Sequence, residues 1–217
     1  MLARTLILIA GLLSASIAFA ADGAAAAPKW EAGKSYQLID PPQPTTTGNK
    51  IEVLEVFSYA CPHCGHFQPY AETLKASLPK NAEFTLLPAD FQPRWVEFAR
   101  GFYVAKALGL VAKTHQEMFD AIYRDNVPMN TIDDIASFYA EHGADKASFV
   151  STAQSFVVEG QLAHGHEMEA KYGIESTPTL VVNGKYRISA SGEQKIGFDE
   201  MVSIAQYLVA QESKKKH

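Results

Sequence analysis

The chain's two cysteines, Cys61 and Cys64, lie three positions apart in the run "SYACPHCGHF", residues 58–67. What surrounds them constrains the local fold. Before them comes "IEVLEVF", residues 51–57, a short β-branched and aromatic run with an abrupt stop that predicts a strand. After them Phe67, Tyr70, Leu74 and Leu78 recur at helical spacing, predicting a helix over about 62–78. Pro62 suits the first turn of that helix, where its missing N–H is not needed. Pro69 should kink the helix in its middle. The pair therefore sits at a strand-to-helix junction, with Cys61 at the helix N-terminus.

Three chemistries compete for such a pair. A closed zinc site needs about four ligands. Here a second cysteine pair is lacking, and His63 and His66 would crowd all four ligands into one helical turn. His164 and His166 could complete a site only if the fold returned them to the cysteines. An inert structural disulfide is the second candidate, but so short a loop constrains little of the unfolded chain. Redox chemistry is the third and the best supported. Unpaired backbone N–H groups and the helix dipole favour a negative sulfur at Cys61, and the His63 ring could add to that. Only the reduced state holds a thiolate, so stabilising it makes the couple more oxidising, by about 30 mV for each 1.4 kcal/mol. A pair tuned in this way donates its disulfide to other molecules.

The first residues bear on the redox compartment. Met1–Ala20 carries one charge, Arg4, followed by an apolar run ending in Ala18-Phe19-Ala20, the pattern of a cleaved secretory signal peptide. The run is short for a membrane anchor. Removing those 20 residues from 217 leaves 197, with 18 basic against 24 acidic side chains, a net charge of −6. That balance argues against a nucleic-acid partner. A chain of that size buries a full core without disulfide staples. One close cysteine pair in an oxidising compartment points to redox function.

The rest of the chain reads as one sheet with a helical insertion. Residues 21–28 form a leader, "YQLID" (36–40) is a possible edge strand, and "DPPQPTTTGN" (40–49) is a connector. "AEFTLLP" (82–88) predicts a second strand. From 94 to 172 apolar residues recur every three to four positions, predicting successive helices with Trp95, Phe98, Phe102 and Phe119 in their core. "TLVVNGKYRIS" (179–189) predicts a hairpin about Asn183-Gly184. A last helix is expected over about 198–212, and the terminal "KKKH" reads as a solvated tail. His115 and His142 read as surface residues on helices. The expected boundaries are 1–20 signal peptide, 21–48 leader and edge strand, 49–92 first part of the α/β domain, 93–164 helical insertion, and 165–217 second part.

"EVFSYACPHC" and "STPTLVVNGKY", with the helical block between them, resemble the DsbA family of bacterial periplasmic thiol:disulfide oxidoreductases. The resemblance covers nearly all of the chain after the signal peptide. It implies a thioredoxin-like fold, a central mixed sheet flanked by helices, with an inserted all-helical domain. It implies a catalytic Cys61–Cys64 disulfide with Pro62 and His63 between the sulfurs. It also implies a cis peptide at Thr177-Pro178, packed against the cysteine pair. There the Thr177 backbone would pair with an extended substrate segment, and Thr177 could touch the Cys61 sulfur.

Glu55 is a further candidate. Strand alternation puts it on one face with Ile51, Val53 and Phe57, an acid among apolar neighbours, six residues before Cys61. Similar proteins place a buried acid there. A buried carboxyl has a raised pKa and could relay a proton for Cys64; alternatively the strand's end is wet and Glu55 is merely solvated. Many relatives pair the acid with a lysine on the next strand, which "AEFTLLP" lacks.

The implied function is oxidation of reduced, incompletely folded secreted proteins in the periplasm by dithiol–disulfide exchange. The implied partner is a quinone-linked membrane reoxidase of the DsbB type. The enzyme is expected to act as a monomer, without metal or organic cofactor and without stable membrane insertion. The alternatives are a disulfide isomerase or reductase on the same fold, or a metal-binding or chaperone-like module.

Overall fold

The structure is a computed structural model that describes residues 30–190 and 196–215. The expected signal peptide (1–20) and leader (21–28) lie outside the described residues, as do the last two residues of the terminal tail. The element order is β1 (Gln37–Leu38), β2 (Ile51–Phe57), α1 (Pro62–Ser77), β3 (Ala82–Pro88), α2 (Pro93–Ala107), α3 (Val111–Tyr123), α4 (Ile132–Glu141), α5 (Lys146–Ala153), α6 (Phe156–Tyr172), β4 (Thr179–Val182), β5 (Tyr186–Ser189) and α7 (Phe198–Lys215).

The strands form one sheet in the order β1-β5-β4-β2-β3. Strand β2 pairs parallel to β3 and antiparallel to β4, so it lies inside the sheet with helices on both faces. All seven of its residues are buried, which accounts for an apolar run with little polar alternation. Ile51 and Val53 pack with Phe67, Ala71 and Leu74 of α1 and Met201, Ile204 and Leu208 of α7. Leu54 and Val56 point the other way, onto Met168 and Tyr172 of α6. The period-2 geometry of a strand thus supplies both layers from one segment. Helix α1 continues through Pro69, which does not end it.

The hairpin turn follows its sequence signal. Asn183 and Gly184 have φ of 52° and 64°, the left-handed pair of a type I′ turn. Gly184 also presses against the Gln43 carbonyl oxygen, where a Cβ would collide. The turn is fastened to the last helix. Glu212, 2% exposed, accepts hydrogen bonds from Asn183 Nδ2, Lys185 Nζ, Tyr186 OH and Lys215 Nζ. The terminal tail therefore begins later than the sequence suggests. Lys214 and Lys215 belong to α7, and Lys215 is held by the buried Glu212 and by Tyr186.

The five helices α2 to α6 enclose a second core containing Phe98, Phe102, Met118, Phe119, Ile135, Tyr139 and Phe149. Trp95 is half-buried and packs against both this core and the α6 face of the sheet. Helices α2 and α4 approach closely at Gly101, where a Cβ would lie 2.6 Å from Ile135 Cγ2. Helix α6 runs unbroken past residues 164–165, with Leu162 in the helical core and Met168 and Tyr172 on the sheet. The two histidines expected on the surface are not there. His115 is largely enclosed, its ring 4.8 Å from that of Phe57 and its Nδ1 2.8 Å from Tyr59 OH. His142 folds over Phe138, with Nδ1 2.7 Å from the Phe138 carbonyl and Nε2 2.6 Å from Glu117 Oε2. In both cases α3 and the elements beside it supply the polar partners that keep an imidazole from solvent.

Candidate active site

The end of β2 delivers the cysteines. The chain leaves Phe57 through Ser58–Ala60, with the Cys61 N–H donating to the Ser58 carbonyl at 3.0 Å. Tyr123 OH, at the end of α3, donates to the Tyr59 carbonyl at 3.0 Å and ties the helical block to this loop. Cys61 is the N-cap of α1 and Pro62 opens the helix. No side chain caps the first turn by a hydrogen bond, so the Cys61 sulfur stands where a capping oxygen would, before the N–H groups of His63 and Cys64. Both cysteines are free thiols. Both are buried, Cys61 at 6% exposure and Cys64 at 0%. Cys61 is the less deeply buried of the two.

The two sulfurs are electrostatically opposite. The neighbouring Cys64 thiol favours the Cys61 thiolate most, with further help from Thr177 and from the backbone N–H groups of Cys64 and His63. Against the opposing effect of burial, these bring Cys61 down from 9.0 to about 5. Burial, together with the neighbouring Cys61 and Glu55 charges, pushes Cys64 well above 9. His63 acts here through its backbone N–H; its ring, like that of Pro62, is exposed.

Across from the sulfurs lies the start of β4. The Thr177-Pro178 bond is cis. The Cys61 thiol donates to the Thr177 carbonyl at 3.5 Å, 116 residues away in sequence. The Thr177 hydroxyl is buried without a hydrogen-bond partner among the described residues. Pro178 is buried beside it.

Beneath the pair lies Glu55, fully buried, opposite Leu86 on β3 and Leu180 on β4. Burial raises its pKa from 4.5 to about 8, against the pull of a hydrogen bond from Gln68. The reading of Glu55 as a solvated strand end is therefore wrong, because helix α1 covers the end of β2. Gln68 is a site residue that sequence reasoning missed. Its signal was available: it lies one helical turn after Cys64, on the same face as Phe67 and Ala71.

The metal alternative finds no support at the cysteines. Among the described residues, the one group of three or more metal-ligating side chains is Asp90, His166 and Glu169, which excludes both sulfurs. His166 Nδ1 bonds Asp90 Oδ1 at 3.0 Å, and His164 is exposed on the same helix.

Comparison with known proteins agrees with this geometry. Residues 52–208 match the model of the DSBA-like thioredoxin domain. The chain is 36% identical over 211 residues to the thiol:disulfide interchange protein DsbA of Pseudomonas aeruginosa, covering 96% of this chain and 97% of that one. It is 36% identical over 195 residues to the protein of that name from Pseudomonas syringae, covering 88% and 90%. The crystal structure of Pseudomonas aeruginosa DsbA superposes with a TM-score of 0.78 at 34% identity, covering 86% of this chain and 96% of that one. The oxidoreductase DsbA of Xylella fastidiosa superposes with 0.78 at 35% identity, covering 85% and 98%.

Proposed function

The chain belongs to the DSBA-like thioredoxin domain family, and from that footing we propose how its residues divide the work of a thiol:disulfide oxidoreductase that gives disulfides to other proteins. The fold is thioredoxin-like with a helical insertion. Cys61 and Cys64 form the disulfide of the oxidised enzyme. A substrate thiolate attacks the Cys61 sulfur, the S–S bond breaks, and Cys64 leaves. With its pKa pushed well above 9, Cys64 leaves most readily as a thiol, so a proton must reach it. Glu55, held protonated at neutral pH by burial, supplies that proton and takes it back when Cys64 later attacks. A second substrate thiolate then attacks the substrate's own sulfur and expels Cys61 as a stable thiolate. The substrate has lost two electrons, and the enzyme has gained them as a dithiol.

The other site residues hold this chemistry in place. Pro62 starts the helix without an N–H to satisfy, and His63 contributes its N–H to the Cys61 sulfur. The Thr177 carbonyl, already within reach of Cys61, accepts from the backbone of an extended substrate segment, with Pro178 fixing its direction. The substrates are reduced, incompletely folded secreted proteins, and a reoxidising partner restores the disulfide. The partner we favour is a quinone-linked membrane protein of the DsbB type, acting on a monomeric enzyme exported to the periplasm by cleavage after residue 20. Among the described residues no helix is long and apolar enough to cross a membrane.

The observation that carries this reading is the placement of Cys61 at the N-cap of α1, facing the Thr177 carbonyl beside the cis Pro178, with Cys64 fully buried behind it. A trapping experiment tests it. The Cys64→Ser protein should accumulate a mixed disulfide with a reduced substrate protein through Cys61, and Cys61→Ser should form none. Trapping through Cys64 instead would reverse the assignment.

A further inference from the structure

Gln68 is 2% exposed and joins two parts of the site. Its Nε2 donates to Glu55 Oε1 at 3.1 Å and to the Cys64 carbonyl at 3.2 Å. The amide therefore clasps the buried acid to the turn that carries the buried thiol. Glu55 Oε2 is buried with no partner among the described residues, so the Gln68 contact fixes where the carboxyl points. On its other side Gln68 lines a cleft of about 300 Å³ between α1, β3 and α3, together with Glu72, Lys75, His115 and Gln116. It separates an acid that water does not reach from a cleft open to solvent.

We propose that Gln68 is the positioning residue of the proton-transfer step: its amide holds the Glu55 carboxyl against the Cys64 turn and stabilises the carboxylate form. The inference rests on the reading of Glu55 as the proton partner of Cys64. A hydrogen bond to the charged form of an acid opposes the effect of burial. The groups facing Glu55 give it little other help. Cys64 and Glu72 on α1 and Tyr59 before it carry no positive charge, Lys75 of the adjoining cleft is paired with Glu72, His115 on α3 is held neutral by burial, and the β-strand neighbours Leu86 and Leu180 are apolar. Gln68 is thus the group that opposes burial and Glu72, both of which raise the acid. An amide does this without adding a second titrating group beside Cys64.

The test is the pH dependence of enzyme disulfide formation. Reduced protein is mixed with saturating oxidised glutathione, so that attack by Cys64 on the Cys61–glutathione mixed disulfide limits a single turnover. The wild type should show a limb that Glu55→Gln removes. Gln68→Met, close in length but without the amide, should move that limb to higher pH by about one to two units, a loss of about 10- to 100-fold in rate at a fixed pH on the limb. Should Gln68→Met fold poorly, Gln68→Asn is one methylene too short to span both contacts and should shift the limb in the same direction. A limb that Glu55→Gln removes but neither Gln68 variant moves would make Gln68 a packing residue and overturn the inference, leaving Glu55 in its role. A limb that survives Glu55→Gln would instead remove Glu55 itself, and the inference with it.

Discussion

The low Cys61 pKa makes the stability of the reduced protein depend on pH in a way that one substitution should erase. In the folded state the thiol titrates at about 5, against 9.0 for the ordinary group. A group whose folded pKa is depressed stabilises the fold in full above its unfolded value, and that stability is lost as pH falls through the folded value. The window therefore runs from about 9 down to about 5. At pH 7 the folded thiol is ionised across about two units while the unfolded one is not, worth about 2.7 kcal/mol at 1.36 kcal/mol per unit. Solvent near the rim of the site screens part of this, leaving about 1.5–2 kcal/mol. Urea unfolding of the reduced protein and of Cys61→Ala, followed by tryptophan fluorescence at about pH 4 and about pH 7, isolates this contribution from other titrating groups. The wild type should gain about 1.5–2 kcal/mol more than the variant between those two conditions. Parallel pH dependences in the two proteins would refute the electrostatic account of Cys61.

Three further outcomes follow from the packing and the buried charges. Glu55 titrates at about 8 when folded and 4.5 when unfolded, so the fold loses stability as pH rises through that window. Glu55→Gln should be more stable than wild type by up to about 3 kcal/mol at neutral pH in denaturant titration, yet slower in disulfide exchange. Gly101→Ala drives a methyl toward Ile135 Cγ2, 2.6 Å from the ideal Cβ position, and should lower stability by about 1–3 kcal/mol in the same titration. Burial alone would raise Glu212, but Lys185, Lys215, Asn183 and Tyr186 together hold it at about 2. Glu212→Ala should cost about 1–2 kcal/mol after screening, with acid unfolding at neutral salt showing the loss above the ordinary carboxylate range and little difference near pH 2.

How much of this was legible beforehand depends on the range of the interactions. Strand β2, helix α1 and the Asn183-Gly184 hairpin follow from local signals: an apolar run that stops, proline at a helix start, and a turn that requires positive φ. Cys61 as an N-cap was readable for the same reason, and strand alternation placed Glu55 beside the apolar residues that α1 and α7 cover. What escaped depended on which segments meet. His115 and His142 lie in stretches that look like amphipathic helix, but Tyr59 and Glu117 reach them from elsewhere in the chain. Lys215 looked like part of a basic tail until Glu212 and Tyr186 gathered around it. Gln68 carries no chemistry by residue type; its spacing after Cys64 put it on the buried helix face, but its contacts with Glu55 and the Cys64 carbonyl depend on how α1 meets β2. The structure adds to the His63 expectation the backbone N–H groups of His63 and Cys64, which favour the Cys61 thiolate.

The most direct test of the whole account is the equilibrium of the Cys61–Cys64 couple with glutathione at neutral pH. A thiol at about 5 is ionised across about two units at pH 7, which by itself moves the couple about 60 mV toward oxidising potentials. The dithiol should persist in buffers where glutathione is largely oxidised, so that the enzyme gives its disulfide away. A disulfide that survives in buffers dominated by reduced glutathione would contradict it.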